Sequence, residues 1–272
     1  MELDSNLAWK QASEAVTANR EVLIAIAGVF ILLPNLAFAL LYPQPELAPG
    51  LQGKEAMEAL SAYYTPAMPW LLLVSLFQAV GTLSLLTLFT DRSRPTVGEA
   101  IRQGAICLIP YILAHLLLGM GIGLIGAVLI GLAAATGLPV VAALVVVALL
   151  VGLIYVLIKT SLTSPVIAVE GVRNPVQALK RSWQLTKGNS FRIFAFYLLI
   201  GIIAGVVLIV TMLVIGALLA VLLGVGDTAK SIATVISSVL STGMTIYFVS
   251  IVAAVHRQLA GPSAEAVNAT FE

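Results

Sequence analysis

Charged side chains disappear from three long stretches of the chain, residues 103 to 158, 193 to 226 and 231 to 256, where apolar residues dominate. A helix needs roughly 20 apolar residues to cross a bilayer, so these stretches hold two, one and one crossings. Glu21 to Tyr42 and Ala67 to Thr90 supply two more. The pattern predicts six spans, at 22–41, 67–90, 104–134, 139–160, 192–223 and 231–256. Between the third and fourth lies "ATGLP", where Gly137 closes one helix and Pro139 opens the next. The third and fifth spans exceed the hydrocarbon thickness and should tilt, kink or emerge. Pro110 offers the third a kink site.

Loop lengths pair the spans into hairpins, each preceded by a polar lead-in with helix-start signals. In "EGVRNPVQALKRSWQLTKGNSF" (170–191), Asn174 is a cap, Pro175 the first helical residue, Gln177 a capping-box amide and Gly188 the stop. Thr96 and Glu99 make another capping box, and Ser5 or Asn6 is the expected cap of the first lead-in. "AWKQASEAVTAN" (8–19) aligns without gaps to "ALKRSWQLTKGN" (178–189), sharing Ala, Lys and Asn. The expected fold is all-α and polytopic, with three tandem units of interfacial helix plus hairpin, at about 1–90, 91–164 and 165–260. A flexible tail is expected over 261–272.

Composition agrees with the pattern, since 60% of the residues are apolar and 10% charged, against roughly a quarter charged in a soluble domain. Lys and Arg set the orientation. A cytoplasmic N-terminus puts Lys10, Arg20, Arg92, Arg94, Arg102, Lys159, Arg173, Lys180, Arg181, Lys187, Arg192 and Arg257 inside, and Lys54 and Lys230 outside. That asymmetry predicts both termini in the cytoplasm. The net charge of +1 gives no case for nucleic acid. "AFA" at 37–39 mimics a signal cleavage site, but Glu2, Asp4, Glu14 and Glu21 precede it and the apolar run is long, so cleavage is not expected. The single Cys107 permits no internal disulfide.

The 170–191 stretch is the most basic and water-loving in the chain. On a helical wheel Val176, Leu179, Trp183 and Thr186 share a side flanked by Lys180 and Lys187, as suits a helix in the headgroup layer. Arg173, Lys180, Arg181, Lys187 and Arg192 have no acid among them after Glu170. Each base near an anionic leaflet adds about 1 kcal/mol of attraction. The plainer reading is an anchor that sets topology. The sharper one is a site for anionic phospholipid or a protein partner, with Trp183 as its aromatic element.

The same residues carry a resemblance. "SPVIAVEGVRNPVQALKRSWQLTKGNSFRIF" is similar to the signature of a bacterial integral membrane family labelled glycerophosphoryl diester phosphodiesterase membrane domain and its inner-membrane relatives. The matching positions are Pro165, Glu170, Gly171, Ala178, Leu179, Ser182, Trp183, Leu185, Thr186, Gly188 and Asn189. "LAWKQASEAVTANREVLI" resembles the family's opening more loosely, with Trp9 displaced. The resemblance implies a six-span fold in the bacterial inner membrane. The hydrolase of the family name is a separate soluble domain that no stretch here could supply, so that activity is not carried over.

Within the spans, "GMGIGLIG" contains a literal GxGxxG, but it lacks the strand–helix context of a nucleotide loop. Gly119, Gly123, Ala127 and Gly131 instead form a stripe for close helix packing, a glycine zipper, as do Gly201 and Gly205. Asn35, Gln78 and His115 are the polar candidates at membrane depth. No acid lies in a span to partner His115, so a neutral ring bonded to Gln78 or a backbone carbonyl is favoured over a proton relay. Asn35 beside Pro34 reads as a kink residue or a substrate contact. Glu46, Glu55 and Glu58 look like solvated charges, and residues 54 to 64 like an amphipathic segment on the outer surface.

Two His and one Cys make neither a metal site nor a nucleophilic triad. No cofactor and no enzymatic activity are expected. The expected role is a structural or accessory factor of the bacterial inner membrane that binds anionic lipid, a membrane protein partner or a second copy of itself. The alternative is a transporter or flippase of a lipid-like or amphipathic substrate. An intramembrane enzyme has only His115 in its favour.

Overall fold

The computed structural model describes residues 2–43, 53–90, 96–224 and 226–261. Among them every regular element is helical. α1 (Ser5–Ala18) starts at Asp4, whose carboxylate accepts the Leu7 N–H at 3.0 Å, so the cap lies one residue before the expected Ser5. Asp4 wins because its side chain accepts from the third residue on while its backbone stays extended. α2 (Arg20–Ala27) runs through a π-helical turn, Gly28–Leu32, into α3 (Leu33–Leu41). Pro34 accounts for that turn. It has no N–H to donate, and the widened turn lets Leu33 N–H reach back to the Gly28 carbonyl.

α4 (Lys54–Thr90) is a single 37-residue helix that passes through Pro66 and Pro69. Residues 54 to 64 are therefore its first turns rather than a separate surface segment. The Tyr63 hydroxyl donates to the Tyr42 carbonyl at 2.8 Å and ties these turns to the end of α3. α5 (Val97–Ala135) opens on the complete Thr96–Glu99 capping box and continues directly into its span, so this lead-in is not a helix of its own. α6 (Pro139–Thr160) follows the positive-φ Gly137. Next come α7 (Thr163–Ala168), α8 (Pro175–Leu185), α9 (Ser190–Leu223) and α10 (Asp227–Ala260). Arg92, Arg94, Glu46 and the tail from Pro262 lie outside the described residues.

Six of these helical segments are long and apolar enough to cross a membrane: Arg20–Leu41, Lys54–Phe89, Val97–Ala135, Pro139–Ala168, Ser190–Leu223 and Asp227–Ala260. Their surfaces fit a membrane too. Leu, Ile and Val side chains of α5, α6 and α9 stand exposed along most of each helix, including Ile109, Leu144 and Leu213, a surface that hydrocarbon solvates at little cost and water does not.

Packing is concentrated at one end of the bundle. There Leu23 and Ile26 of α2, Leu83 and Leu86 of α4, Val166 and Ile167 of α7, and Ile251 and Val255 of α10 form one buried cluster. α1 lies along α10, burying Ala8 and Ala12, stacking Trp9 on Tyr247 and accepting the Ser250 hydroxyl at the Ala12 carbonyl. α4 and α5 approach closely at Gly104. A Cβ on Gly104 would collide with Ser84 Oγ and lie 2.8 Å from the Val80 carbonyl oxygen. The expected glycine stripe does not serve this purpose within the chain. Nothing lies within 4 Å of where a Cβ would sit on Gly119, Gly123, Gly131, Gly201 or Gly205, because these positions belong to the outward-facing, loosely packed half of α5 and α9.

Candidate functional site

The packed end of the bundle also gathers the polar chemistry. α8 begins where Asn174 accepts the N–H groups of Val176 and Gln177 at 3.0 and 3.1 Å, with Pro175 in the first turn. Its buried face is Ala178, Ser182 and Leu185, turned onto α5, α6 and α7. The side expected to line the headgroup layer is therefore split. Val176 and Trp183 stay at the surface, while Thr186 is buried.

Ser182 explains this docking. Its hydroxyl donates to the Lys159 carbonyl at 2.8 Å and accepts the Leu162 N–H at 3.2 Å. Thr186, fully buried, donates to the Ser182 carbonyl at 3.0 Å and approaches the Lys159 carbonyl at 3.4 Å. Two side chains of α8 thus satisfy backbone groups that the end of α6 leaves open.

The bases of the 170–191 stretch fall into two sets. Arg181 Nε donates to Glu170 Oε2 at 2.9 Å, and Arg192 reaches Glu2 at 2.8 Å. Both are paired within the fold, Arg181 with the one acid of its own stretch and Arg192 with an acid from the distant N-terminal segment. Arg173, Lys180 and Lys187 are exposed and make no ion pair with the described residues.

Sequence reasoning treated Lys159 only as a topology marker, yet the structure buries it against two aromatic rings. The residue is 4% exposed, with Nζ 5.6 Å from the centroids of both the Tyr155 and Trp183 rings. Those rings meet edge to face at 5.7 Å. Lys187 lies within electrostatic reach. The result is the Lys159 ammonium beside an aromatic corner, with Lys187 in electrostatic range and the indole at the surface. The available signal was a lysine ending an otherwise uncharged span four residues after a tyrosine.

Glu170 joins this surface to the bundle. Its other oxygen accepts from His256 Nε2 at 2.9 Å, and the His256 side chain is 3% exposed. Since a carboxylate only accepts, Nε2 carries a proton here. Burial pushes the Glu170 carboxyl upward, but the hydrogen bonds and charges of His256 and Arg181 outweigh it and hold it below the usual carboxylate range. Glu2 is likewise held low, by Arg192. Beside them, Leu3 N–H donates to the buried Asn189 and Asp4 N–H to Gln258, so the first residues and the end of α10 sit on one face.

The intramembrane candidates lie elsewhere. Gln78 Nε2 donates to Asn35 Oδ1 at 2.8 Å, and Asn35 Nδ2 to the Ile31 carbonyl at 2.7 Å. His115 bonds to the Tyr111 carbonyl one turn back at 2.8 Å, with its ring exposed on α5. The pair and the histidine flank two open grooves, of about 480 and 390 Å³, that share Gln78 and Thr82. No cluster of three or more His, Cys, Asp or Glu that could hold a metal occurs among the described residues.

A family profile described as "Domain of unknown function (DUF7847)" matches residues 8–259. No curated protein and no solved structure matches the chain.

Proposed function

The chain belongs to the DUF7847 family, and we propose that it is a non-catalytic integral membrane protein that holds anionic phospholipid headgroups at its basic end. In this reading it is a structural or accessory factor of a bacterial inner membrane, with both termini in the cytoplasm. The observation that carries the proposal is the corner of Lys159, Lys187, Tyr155 and Trp183. A lysine largely removed from solvent, with no carboxylate among the described residues paired to it, favours an anion beside it. Trp183 fits the headgroup layer, and exposed Lys180 and Arg173 extend the positive surface. The lopsided distribution of bases supports the cytoplasmic orientation.

The test is native mass spectrometry of the protein in nanodiscs containing phosphatidylglycerol, comparing wild type with the double variant Lys180→Ala and Lys187→Ala. Both positions are exposed, so the fold should survive. Retention of phosphatidylglycerol by wild type and its loss in the variant is the expected result. Equal retention sinks the reading. A second reading, movement of an amphipathic substrate across the membrane, draws on the polar grooves between helices. Accelerated flipping of a fluorescent phospholipid in proteoliposomes would favour it.

A further inference from the structure

The larger groove has a chemistry of its own. It lies between α3, α4 and α10 and is lined on its polar side by Asn35, Gln78, Thr82, Ser238, Ser241 and Thr242. Among the described residues no charged side chain lines it. Ser241 is fifteen residues from His256 along α10, which places the groove roughly 22 Å from the basic end, at membrane depth.

Hydroxyls at that depth need partners, and four of those on α10 find them within the helix. Ser241 donates to the Ser238 carbonyl at 3.1 Å, Thr242 to the same carbonyl at 2.8 Å, and Thr245 to the Ser241 carbonyl at 2.9 Å. Ser237 donates to the Thr234 carbonyl at 3.0 Å. Each of these four hydroxyls has thereby spent its only proton and keeps lone pairs able to accept. On the opposite wall Asn35 and Gln78 have each committed an N–H, to Ile31 and to Asn35. The π-helical turn runs directly into α3, whose Asn35 lines this wall. Ile31, Phe38 and Leu208 complete the lining with apolar surface.

We infer that this groove binds an uncharged amphiphile through a free hydroxyl on its head, with the chain lying along Phe38 and Leu208. Hydroxyl oxygens that have already donated can still accept a hydrogen bond from such a head. The absence of charge in the lining disfavours ionic headgroups, which would lose hydration without a counter-charge. This site is separate from the basic corner, and neither depends on the other.

The experiment uses the full chain in nanodiscs and two probes, 1,2-dioctanoylglycerol and its 3-O-methyl ether, which lacks the donor. Native mass spectrometry should show the alcohol retained about tenfold better than the ether, as expected for one or two hydrogen bonds. Ser241→Ala with Thr242→Val keeps the shape and should erase that preference. Ala39→Phe should block the groove and lower retention of both probes. The Lys180→Ala and Lys187→Ala variant should keep the preference intact, which separates this proposal from the headgroup reading. Equal retention of alcohol and ether by wild type overturns the inference, as does an unchanged preference in the Ser241 and Thr242 variant or undiminished binding in Ala39→Phe.

Discussion

Glu170 Oε1 and His256 Nε2 meet at 2.9 Å across 86 residues of sequence, while Glu170 Oε2 holds Arg181 at the same distance. One carboxylate thus joins the linker after α7 to both α8 and the end of α10. Glu170→Gln should lower stability by about 2 kcal/mol, the scale of hydrogen bonds to a charged group. Thermal unfolding in mild detergent measures this. Because the folded carboxyl is held low, its contribution is fully present above the unfolded value of roughly 4.3 and is lost as pH falls through the folded value. Wild type should therefore lose stability over that acid window more steeply than Glu170→Gln.

Ser182 is fully buried and serves a carbonyl and an N–H at once. Ser182→Ala deprives the Leu162 N–H of this acceptor and leaves the Lys159 carbonyl only Thr186 at 3.4 Å, so a loss of about 1–3 kcal/mol is expected. The same unfolding assay reads it. Hydrogen exchange should show faster exchange at Leu162 in particular, and an unaltered Leu162 amide would contradict this account of α8 docking.

Glycine substitutions should separate two kinds of position on α5. Gly104→Ala drives a methyl into Ser84 and the Val80 carbonyl and should cost about 1–3 kcal/mol. Gly123→Ala meets nothing within 4 Å. It should be neutral or stabilising by up to about 1 kcal/mol through helix propensity. A destabilised Gly123→Ala monomer would restore the glycine-zipper expectation.

Asp4 caps α1 through the Leu7 N–H. Asp4→Ala should cost about 1 kcal/mol and raise exchange at the first turn of α1. Asp4→Asn should recover most of the loss, because the amide oxygen can accept the same hydrogen bond.

How much of this was legible in the chain depends on the range of the interaction concerned. Helix boundaries follow from local signals: Pro139 opens α6, and Asn174 with Pro175 opens α8, where the sequence predicts them. The six spans follow from hydropathy for the same reason. The partner of Arg192 was not legible, since Glu2 reaches it only once α1 has docked on α10. Lys159 was hidden similarly, because its aromatic corner needs Trp183 brought over from α8. The α5 glycine stripe misled because spacing reports a smooth helix face and says nothing about which face meets a neighbour. The continuity of α4 through two prolines was missed because breaker residues weaken a helix locally, while tertiary support decides whether it ends.

The buried cluster at one end leaves the opposite halves of α5, α6 and α9 with few internal contacts. Those halves are anchored at their roots and free to lean. A bilayer that thins or thickens would be met there, by splaying or gathering of the unpacked arms, while the end held by Glu170, Ser182 and the N-terminal segment keeps its shape. The mechanical behaviour expected from this packing is that of a stiff base carrying compliant apolar struts, with the surrounding acyl chains as part of the elastic structure.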